Sequence, residues 1–130
     1  MRTRTYRLDE EHEEQKRLME WAESQKQKRP QLRALFAVPN GGHRHITIAK
    51  RMKAEGVKRG VPDLMLPFPF NGYAGMFIEL KKRVGGVVSK EQEEWRSMLS
   101  GYGYCVRVCA GWEVAKDAII EYLTPKTNLP

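Results

Sequence analysis

The chain has 130 residues, of which 41% are hydrophobic and 30% charged, and its formal net charge is +7. This composition excludes an intrinsically disordered chain, and no apolar run approaches the ~20 residues that a membrane-spanning helix requires. The basic excess favours a polyanionic partner, above all nucleic acid, and we expect no membrane association.

Two features bear on the compartment in which the protein works. Residues 1–4 lack the apolar stretch of a secretory signal peptide. Cys105 and Cys109 lie at strand spacing in one short apolar segment, which cannot supply a disulfide framework and lacks partners for a metal site. We therefore expect reduced thiols and a cytoplasmic protein.

The first helix is predicted to begin at Asp9, after an unstructured basic lead over residues 1–8, and to end near Lys28. Its apolar stripe is narrow and includes Leu18 and Ala22. Two polar residues, Glu11 and Gln15, continue the same helix face toward the amino terminus. Polar groups in this arrangement are expected at the edge of the core, although a solvated acidic first turn is the alternative.

A short strand from Leu32 to Val38 is predicted next, followed by a glycine-rich basic loop over residues 39–45. Backbone N–H groups of such a loop, together with Asn40 and Arg44, can contact phosphates. The loop lacks the Gly-Lys-Ser/Thr sequence of a Walker motif, so it gives no support to ATP binding.

Thr47 is expected to cap a short helix from Ile48 to Glu55, which Gly56 would end. Five cations lie in this helix and just after it. They are Lys50, Arg51, Lys53, Lys58 and Arg59. Their density just upstream of an acidic segment predicts a phosphate-binding rim, and a solvated helix face is the alternative.

Two apolar runs, residues 61–66 and 76–81, are joined by a segment that contains Asn71-Gly72, the strongest short-range hairpin signal. The sequence therefore predicts two antiparallel strands with these two residues at the tip. Counting back from the tip pairs residue 63 with residue 80. The two prolines in the connecting segment leave this register open by a residue or two.

The ionisable residues of this hairpin are predicted to converge. Asp63 would lie beside Leu80, within diagonal reach of Glu79 and Lys81, which share one face of their strand. Ionised groups are costly in an apolar strand unless they are paired or bind a cation, and a carboxylate pair suits Mg²⁺ or Mn²⁺. Lys81 could orient a metal-bound water or stabilise developing negative charge. An exposed cross-strand ion pair is the alternative.

The carboxyl-terminal part is predicted to alternate helix, strand and helix. Lys82, which follows the second apolar run, is a further candidate DNA contact. After it and a Gly-Gly turn, Ser89-x-x-Gln92 is a capping-box sequence that opens a helix ending near residue 100. Capping alone would explain Gln92. A strand over residues 104–109 and a helix over residues 112–123 complete the order.

Several short motifs follow one another in a definite order and spacing over residues 8–123. They are Val38-Pro39-Asn40-Gly41-Gly42, Ala49-Lys50-Arg51, Glu55-Gly56-Val57, Gly60-Val61-Pro62-Asp63-Leu64, Gly75, Phe77-Ile78-Glu79-Leu80-Lys81, Ser89-x-x-Gln92, Gly103-Tyr104 and Gly111-Trp112. This set resembles the VRR-NUC (virus-type replication-repair nuclease) family of the PD-(D/E)xK nuclease superfamily. The resemblance implies one domain with a restriction-endonuclease-like α/β core, in which helices flank a central mixed β-sheet.

The resemblance also implies a catalytic site. Mg²⁺ or Mn²⁺ would be held by Glu11, Asp63, Glu79 and the backbone carbonyl of Leu80, and Glu14 is the alternative to Glu11. Lys81 would orient or activate the attacking water, while Gln15 and Gln92 would approach the same site.

A metal-dependent DNA endonuclease that leaves 3′-hydroxyl and 5′-phosphate ends is the activity that the resemblance implies. By analogy with small standalone members, the expected substrate is a Holliday junction or other branched DNA in viral or phage replication, recombination or repair. A homodimer is expected, with Phe68, Phe70 and Tyr73 as either a dimer contact or core. A non-catalytic nucleic-acid-binding module and a non-enzymatic interaction subunit are the alternatives.

Overall fold

The computed structural model describes residues 4–39 and 45–126, and it describes side chains from residue 10 onward. In chain order its elements are α1 (Arg4–Gln25), a 3₁₀ helix (Pro30–Ala34), β1 (Phe36–Ala37), α2 (Ile46–Ala54), β2 (Leu64–Leu66), β3 (Met76–Lys81), α3 (Lys90–Gly101), β4 (Cys105–Ala110) and α4 (Trp112–Leu123). Within these described segments, every helix is too short or too polar to cross a membrane.

The four strands form one mixed sheet in the order β1-β2-β3-β4. The pairs β1–β2 and β2–β3 are antiparallel, whereas β3 and β4 run parallel and are connected through α3. Helices α1 and α4 pack together on one face of the sheet, and α3 lies on the other. This arrangement confirms the predicted α/β class with a central mixed sheet flanked by helices.

The core fills the space between the sheet and the pair α1 and α4. Strand β3 is buried along its whole length, and its even-numbered side chains face these two helices. The fully or almost fully buried residues of this layer include Leu18, Ala22, Leu64, Leu66, Met76, Ile78, Leu80, Ala115, Ala118 and Ile119. The odd-numbered side chains of β3 are therefore left for the opposite face, where α3 lies.

The hairpin between β2 and β3 has the predicted tip. Asn71 and Gly72 both have positive φ, 51° and 87°, as a type I′ turn requires. Phe70 and Tyr73 exchange two backbone hydrogen bonds of 3.1 and 2.9 Å across this turn. The Asn71 side chain donates to the carbonyl oxygens of Tyr122 and Thr124, which ties the turn to the end of α4.

The strand register differs by one residue from the register counted back from the tip. Leu64 pairs with Ile78 and Leu66 with Met76, so extending the ladder sets Asp63 across from Glu79 and not beside Leu80. The reason is a bulge, because residues 67–69 on one strand face only residues 74 and 75 on the other. Prolines at positions 67 and 69 cannot donate to the ladder, which favours the extra residue on their side.

Two predicted boundaries in the amino-terminal part are wrong. Helix α1 begins at Arg4 and ends at Gln25 instead of running from Asp9 to Lys28. Residues 4–8 contain no glycine or proline, so nothing in the sequence stops the helix there, and part of the expected basic lead is helical.

The predicted strand from Leu32 to Val38 is mostly absent. Pro30 opens a 3₁₀ helix instead, and only Phe36–Ala37 pair with β2. Leu32 and Leu35 are both buried, and their spacing of three matches the period of this helix.

The later helices agree with the sequence more closely. Ser89 caps α3, and the reciprocal capping box with Gln92 is present as predicted. Helix α4 has the predicted bounds. Helix α2 starts two residues earlier than predicted, because His45 and not Thr47 is its N-cap residue: His45 Nδ1 accepts the Thr47 N–H at 3.3 Å.

Replacing Gly60 by alanine is expected to lower the free energy of unfolding by about 3 kcal/mol. Gly60 has a φ of +91°, and a Cβ atom there would lie 2.6 Å from the backbone carbon of Glu91 at the start of α3. Gly56 is the matched control, since its φ is +99° but a Cβ would meet nothing within 4 Å. Gly56→Ala should cost only about 1 kcal/mol in urea denaturation. Equal losses would show that the contact between Gly60 and α3 yields easily.

Candidate metal centre

Two carboxyl groups meet on the α3 side of the sheet. Asp63 follows the fully buried Pro62 and immediately precedes β2, and its carbonyl oxygen accepts the Val38 N–H at 2.8 Å. Its side chain crosses to β3, where Oδ2 accepts the Leu80 N–H at 2.7 Å. The backbone on both sides therefore fixes this carboxylate next to Glu79.

Glu79 is almost completely buried, with 4% of the residue exposed. Its Oε2 accepts a hydrogen bond from Gln92 Nε2 at 3.0 Å and lies 3.5 Å from Lys81 Nζ. Its Oε1 is also buried, and no donor among the described residues reaches it. An acceptor oxygen in this state is costly, and it calls for either a proton or a cation.

The two carboxyl groups change each other's protonation. Burial, followed by the neighbouring charge of Asp63, raises the pKa of Glu79 to about 9. Burial also raises the pKa of Asp63, against the opposing effects of its hydrogen bonds to Glu79 and the Leu80 N–H and of the Lys81 charge. Near neutral pH the pair therefore holds a proton in the absence of a metal ion.

Lys81 and Gln92 complete the immediate surroundings. Lys81 is 7% exposed, and its Nζ donates to Gln92 Oε1 at 2.9 Å. The same oxygen accepts the Ser89 N–H at 2.8 Å, while the Gln92 N–H donates to Ser89 Oγ at 3.1 Å. Because Oε1 is occupied by two donors, the Gln92 amide has to present its Nε2 to Glu79.

This donor set fits a hard divalent cation. Carboxylate oxygens are the ligands that Mg²⁺ and Mn²⁺ prefer, and a cation would remove both the repulsion between Asp63 and Glu79 and the unsatisfied state of Oε1. Among the described side chains, which lie in residues 10–39 and 45–126, no cluster of three or more acidic, histidine or cysteine side chains is suited to hold an ion. The described acidic centre is thus a pair.

Comparison with known proteins gives the family. The profile of the VRR-NUC domain matches residues 3–113, which is most of the chain. The chain belongs to the VRR-NUC family. A solved structure described as a VRR_NUC domain protein is similar to it, with 32% sequence identity, a TM-score of 0.74, and 87% of each chain covered. The comparison with curated proteins gave no match.

The candidate site residues of α1 lie in two different settings in this VRR-NUC chain. Glu11 and Gln15 are half-buried on the face that continues to the buried Leu18 and Ala22, as the predicted stripe requires. Glu11 does not form a three-residue ligand cluster with Asp63 and Glu79. Its role as a metal ligand, and the approach of Gln15 to the site, stay predictions.

Glu14, the alternative to Glu11, has a structural explanation. Its Oε1 accepts the Trp112 N–H at 2.9 Å, which caps the amino terminus of α4, and its Oε2 lies 3.1 Å from Arg83 Nε. Arg83 also pairs with Glu113. Nothing in the local sequence marks this contact between residues 14 and 112, so the sequence analysis missed it.

The residues predicted to contact DNA lie in different settings. Asn40 and Arg44 are outside the described residues. Lys82 is half-buried, with Nζ 3.9 Å from a Glu10 oxygen. The remaining side chains are all exposed, and they are Lys50, Arg51, Lys53, Lys58 and Arg59. Among the described residues, α2 makes no close backbone contact with another helix or strand, so its cations project from the body of the VRR-NUC domain.

Gly86 is a further residue of the site that the sequence analysis treated only as part of a turn. A Cβ atom at Gly86 would lie 2.8 Å from Lys81 Cβ and 3.4 Å from Lys81 Cγ. The loop after β3 therefore packs directly on the stem of the lysine. The Gly-Gly pair was the sequence feature that could have indicated this contact, because glycine is often found where the backbone closely approaches a side chain.

The hairpin aromatic residues are divided between core and surface. Phe68 and Phe70 pack against the core, and their rings stack with centroids 5.7 Å apart. The Tyr122 hydroxyl donates to the Phe68 carbonyl oxygen at 2.6 Å. Tyr73 is exposed. This favours the core interpretation for the two phenylalanines and leaves only Tyr73 as a candidate dimer contact.

Proposed function

We propose that this VRR-NUC chain is a metal-dependent DNA endonuclease that hydrolyses phosphodiester bonds. The observation that carries the proposal is the pairing of the half-buried Asp63 with the buried Glu79, whose Oε1 has no hydrogen-bond donor among the described residues, and the position of Lys81 beside this pair. Such a pair destabilises the fold unless it binds a proton or a cation, and sites of this kind are typically functional.

Asp63, Glu79 and the carbonyl oxygen of Leu80 would hold Mg²⁺ or Mn²⁺, with Glu11 as a further ligand. When bound, the metal ion would supply a Lewis acid and lower the pKa of a water molecule. The Leu80 N–H keeps the Asp63 carboxylate oriented, because it donates to Oδ2 at 2.7 Å. Such preorganisation is what a ligand set needs.

Lys81 is the proposed group that orients the attacking water and stabilises negative charge on the phosphate as it is attacked. Its ammonium is held by Gln92 Oε1 on one side and by the Glu79 carboxylate on the other. Two of its three hydrogens are thereby directed, which leaves one for water or for a phosphate oxygen. Gln92 acts through Lys81 and Glu79 and is a positioning residue.

The exposed cations would form the DNA contact surface. Lys58 and Arg59 directly precede Gly60, which packs on the first turn of α3, so they lie a few residues from Asp63. Helix α2 would extend this rim along a DNA backbone with Lys50, Arg51 and Lys53. The proposal requires binding to weaken with salt, with a slope of about 0.9 per phosphate neutralised.

Branched DNA and a homodimer are the finer parts of the proposal. A two-fold pair of sites can cut two strands symmetrically, as resolution of a four-way junction requires. The family match supports DNA as substrate, and analogy with small VRR-NUC proteins supports the branched form. Light scattering of the free protein and of the junction complex would test the dimer, and a monomer in both would exclude it.

Replacing Asp63 by asparagine is expected to reduce divalent-dependent cleavage of a four-way junction by at least about 10³-fold. The substitution keeps the shape of the side chain but removes one of the negative charges that would hold the cation. Cleavage should be measured with Mg²⁺ and with Mn²⁺, on junction and on duplex of the same sequence. Asp117→Asn on the exposed face of α4 is the matched control and should cut at the rate of the unmodified protein.

Three outcomes separate the alternatives. Cleavage that needs a divalent ion, is lost with Asp63→Asn and is kept with Asp117→Asn supports the proposal. Salt-dependent DNA binding by a protein that cuts nothing under any metal condition would favour a non-catalytic binding module. Undiminished cleavage by Asp63→Asn would remove Asp63 from the chemistry.

A further inference from the structure

The loop between β3 and α3 exposes apolar side chains that the fold does not cover. We define the valine loop as residues 84–88. Its three valines, Val84, Val87 and Val88, are 83%, 77% and 37% exposed. Single exposed apolar residues are ordinary, but three β-branched side chains in five residues, separated by two glycines, form a small apolar surface with no use in the core.

The valine loop lies next to the reacting groups. It begins three residues after Lys81, and its central Gly86 packs on the Lys81 stem at the distances given above. It ends immediately before Ser89, whose backbone N–H donates to Gln92. A substrate phosphate that reaches Glu79 and Lys81 therefore has the valine loop beside it.

Cations flank the loop on both sides. Lys82 precedes it, and the exposed Lys90 follows it at the start of α3. Arg83, directly before Val84, is engaged by Glu14 and Glu113 and so fixes the base of the loop. An apolar tip between cations suits a polyanion whose apolar parts are accessible, and phosphate contacts would position it.

We infer that the valine loop contacts the faces of unstacked bases and makes the protein prefer DNA whose base stack is interrupted near the scissile phosphate. Valine has no hydrogen-bonding group, so it cannot recognise base edges. In a continuous duplex the base faces are covered, and opening a step costs a few kcal/mol. At a branch, flap or nick that opening has already occurred. The inference rests on the proposed function and adds a specificity determinant to it.

The test compares binding to two DNAs of one sequence, a continuous duplex and a form with a branch point, each carrying 2-aminopurine at the step in question. EDTA is present throughout, so that no cleavage takes place. The double variant Val84→Ser, Val87→Ser is expected to bind the branched DNA about tenfold more weakly, while duplex affinity changes less than about twofold. The protein-induced rise in 2-aminopurine fluorescence at the branch should also shrink.

Val114→Ser is the matched control, because Val114 is an exposed valine on α4, outside this loop. Thermal unfolding of all variants shows whether the loop changes leave the fold intact. Equal weakening on both DNAs, or none on either, would overturn the inference. So would a change in oligomeric state by light scattering that accounts for the affinity, since the loop would then bind a second copy of the chain.

The outcome for the valine loop can be distinguished from the outcome for the proposed nuclease function. Loss of branch preference in the double variant, together with a protein that never cleaves, would keep the inference and reject the nuclease. Normal divalent-dependent cleavage, together with unchanged branch preference in the double variant, would keep the nuclease and reject the inference.

Discussion

Replacing Glu79 by glutamine is expected to abolish divalent-dependent cleavage and, without metal, to stabilise the fold at alkaline pH. The side chain is buried beside Asp63, and its pKa is raised from an ordinary value of 4.5 to about 9. Glutamine has the same shape but no charge to desolvate. It can also donate to Asp63, which removes the repulsion between the two carboxylates.

The sign of the pH effect follows from proton binding. Between pH 4.5 and about 9 the folded protein holds a proton at Glu79 that the unfolded chain has released. The contribution of this group to stability is therefore full below pH 4.5 and is lost as pH rises to about 9. In EDTA the unmodified protein should lose a few kcal/mol across this range through Glu79, and Glu79→Gln should lack that loss.

Urea denaturation at several pH values measures this difference. Glu20→Gln, on the exposed face of α1, is the control and should follow the unmodified protein at every pH. Addition of Mg²⁺ or Mn²⁺ should restore the stability of the unmodified protein at pH 8 and should not affect Glu79→Gln. Parallel pH curves for the unmodified protein and Glu79→Gln would mean that the carboxyl pair is not strained and would weaken the case for a cation there.

The alternation of side chains along β3 was sufficient to predict which residues share the site face. Glu79 and Lys81 lie on that face and Ile78 and Leu80 on the other, because the strand period of two leaves no other choice. The pairing of Asp63 was predicted one residue off. The bulge at residues 67–69 depends on how two prolines are accommodated, which strand periodicity does not specify.

Long-range contacts were the part that the sequence could not supply. The capping box of Ser89 and Gln92 is local and was predicted, but the contact of Gln92 with Glu79 depends on how α3 docks. The glycines at positions 60 and 86 allow that docking by close approach to α3 and to Lys81. The local sequence indicates these two glycines only as turn residues. Their packing roles are visible only in the tertiary structure.

The family resemblance compensated for some of this gap. The order of motifs along the chain indicated the α/β sheet and the VRR-NUC family, and both are confirmed. It did not decide between Glu11 and Glu14, since both lie on one turn of a long acidic helix. The hydrogen bond from Trp112 to Glu14 favours Glu11 as the candidate ligand by giving Glu14 a different task.

Replacing Lys81 by methionine is expected to separate metal binding from catalysis. Methionine keeps the length and the apolar stem on which Gly86 packs, but it lacks the ammonium that lies 3.5 Å from Glu79 Oε2. A cation in this site is repelled by that ammonium, so its affinity in the variant should stay equal or rise. Cleavage should nevertheless fall by about 10²- to 10⁴-fold, because the variant lacks the group that we propose orients water and stabilises the attacked phosphate.

Calorimetric titration with Mn²⁺ and single-turnover cleavage at saturating Mn²⁺ measure the two effects on the same preparation. Lys26→Met is the control, because Lys26 is an exposed cation just after α1. It should alter neither the Mn²⁺ affinity nor the cleavage rate. Asp63→Asn should differ from Lys81→Met in the titration, because it should lose the Mn²⁺ affinity together with cleavage. If Lys81→Met lost its Mn²⁺ affinity as well, the lysine would be acting by holding the carboxylates in place, and its proposed contact with water or phosphate would be wrong.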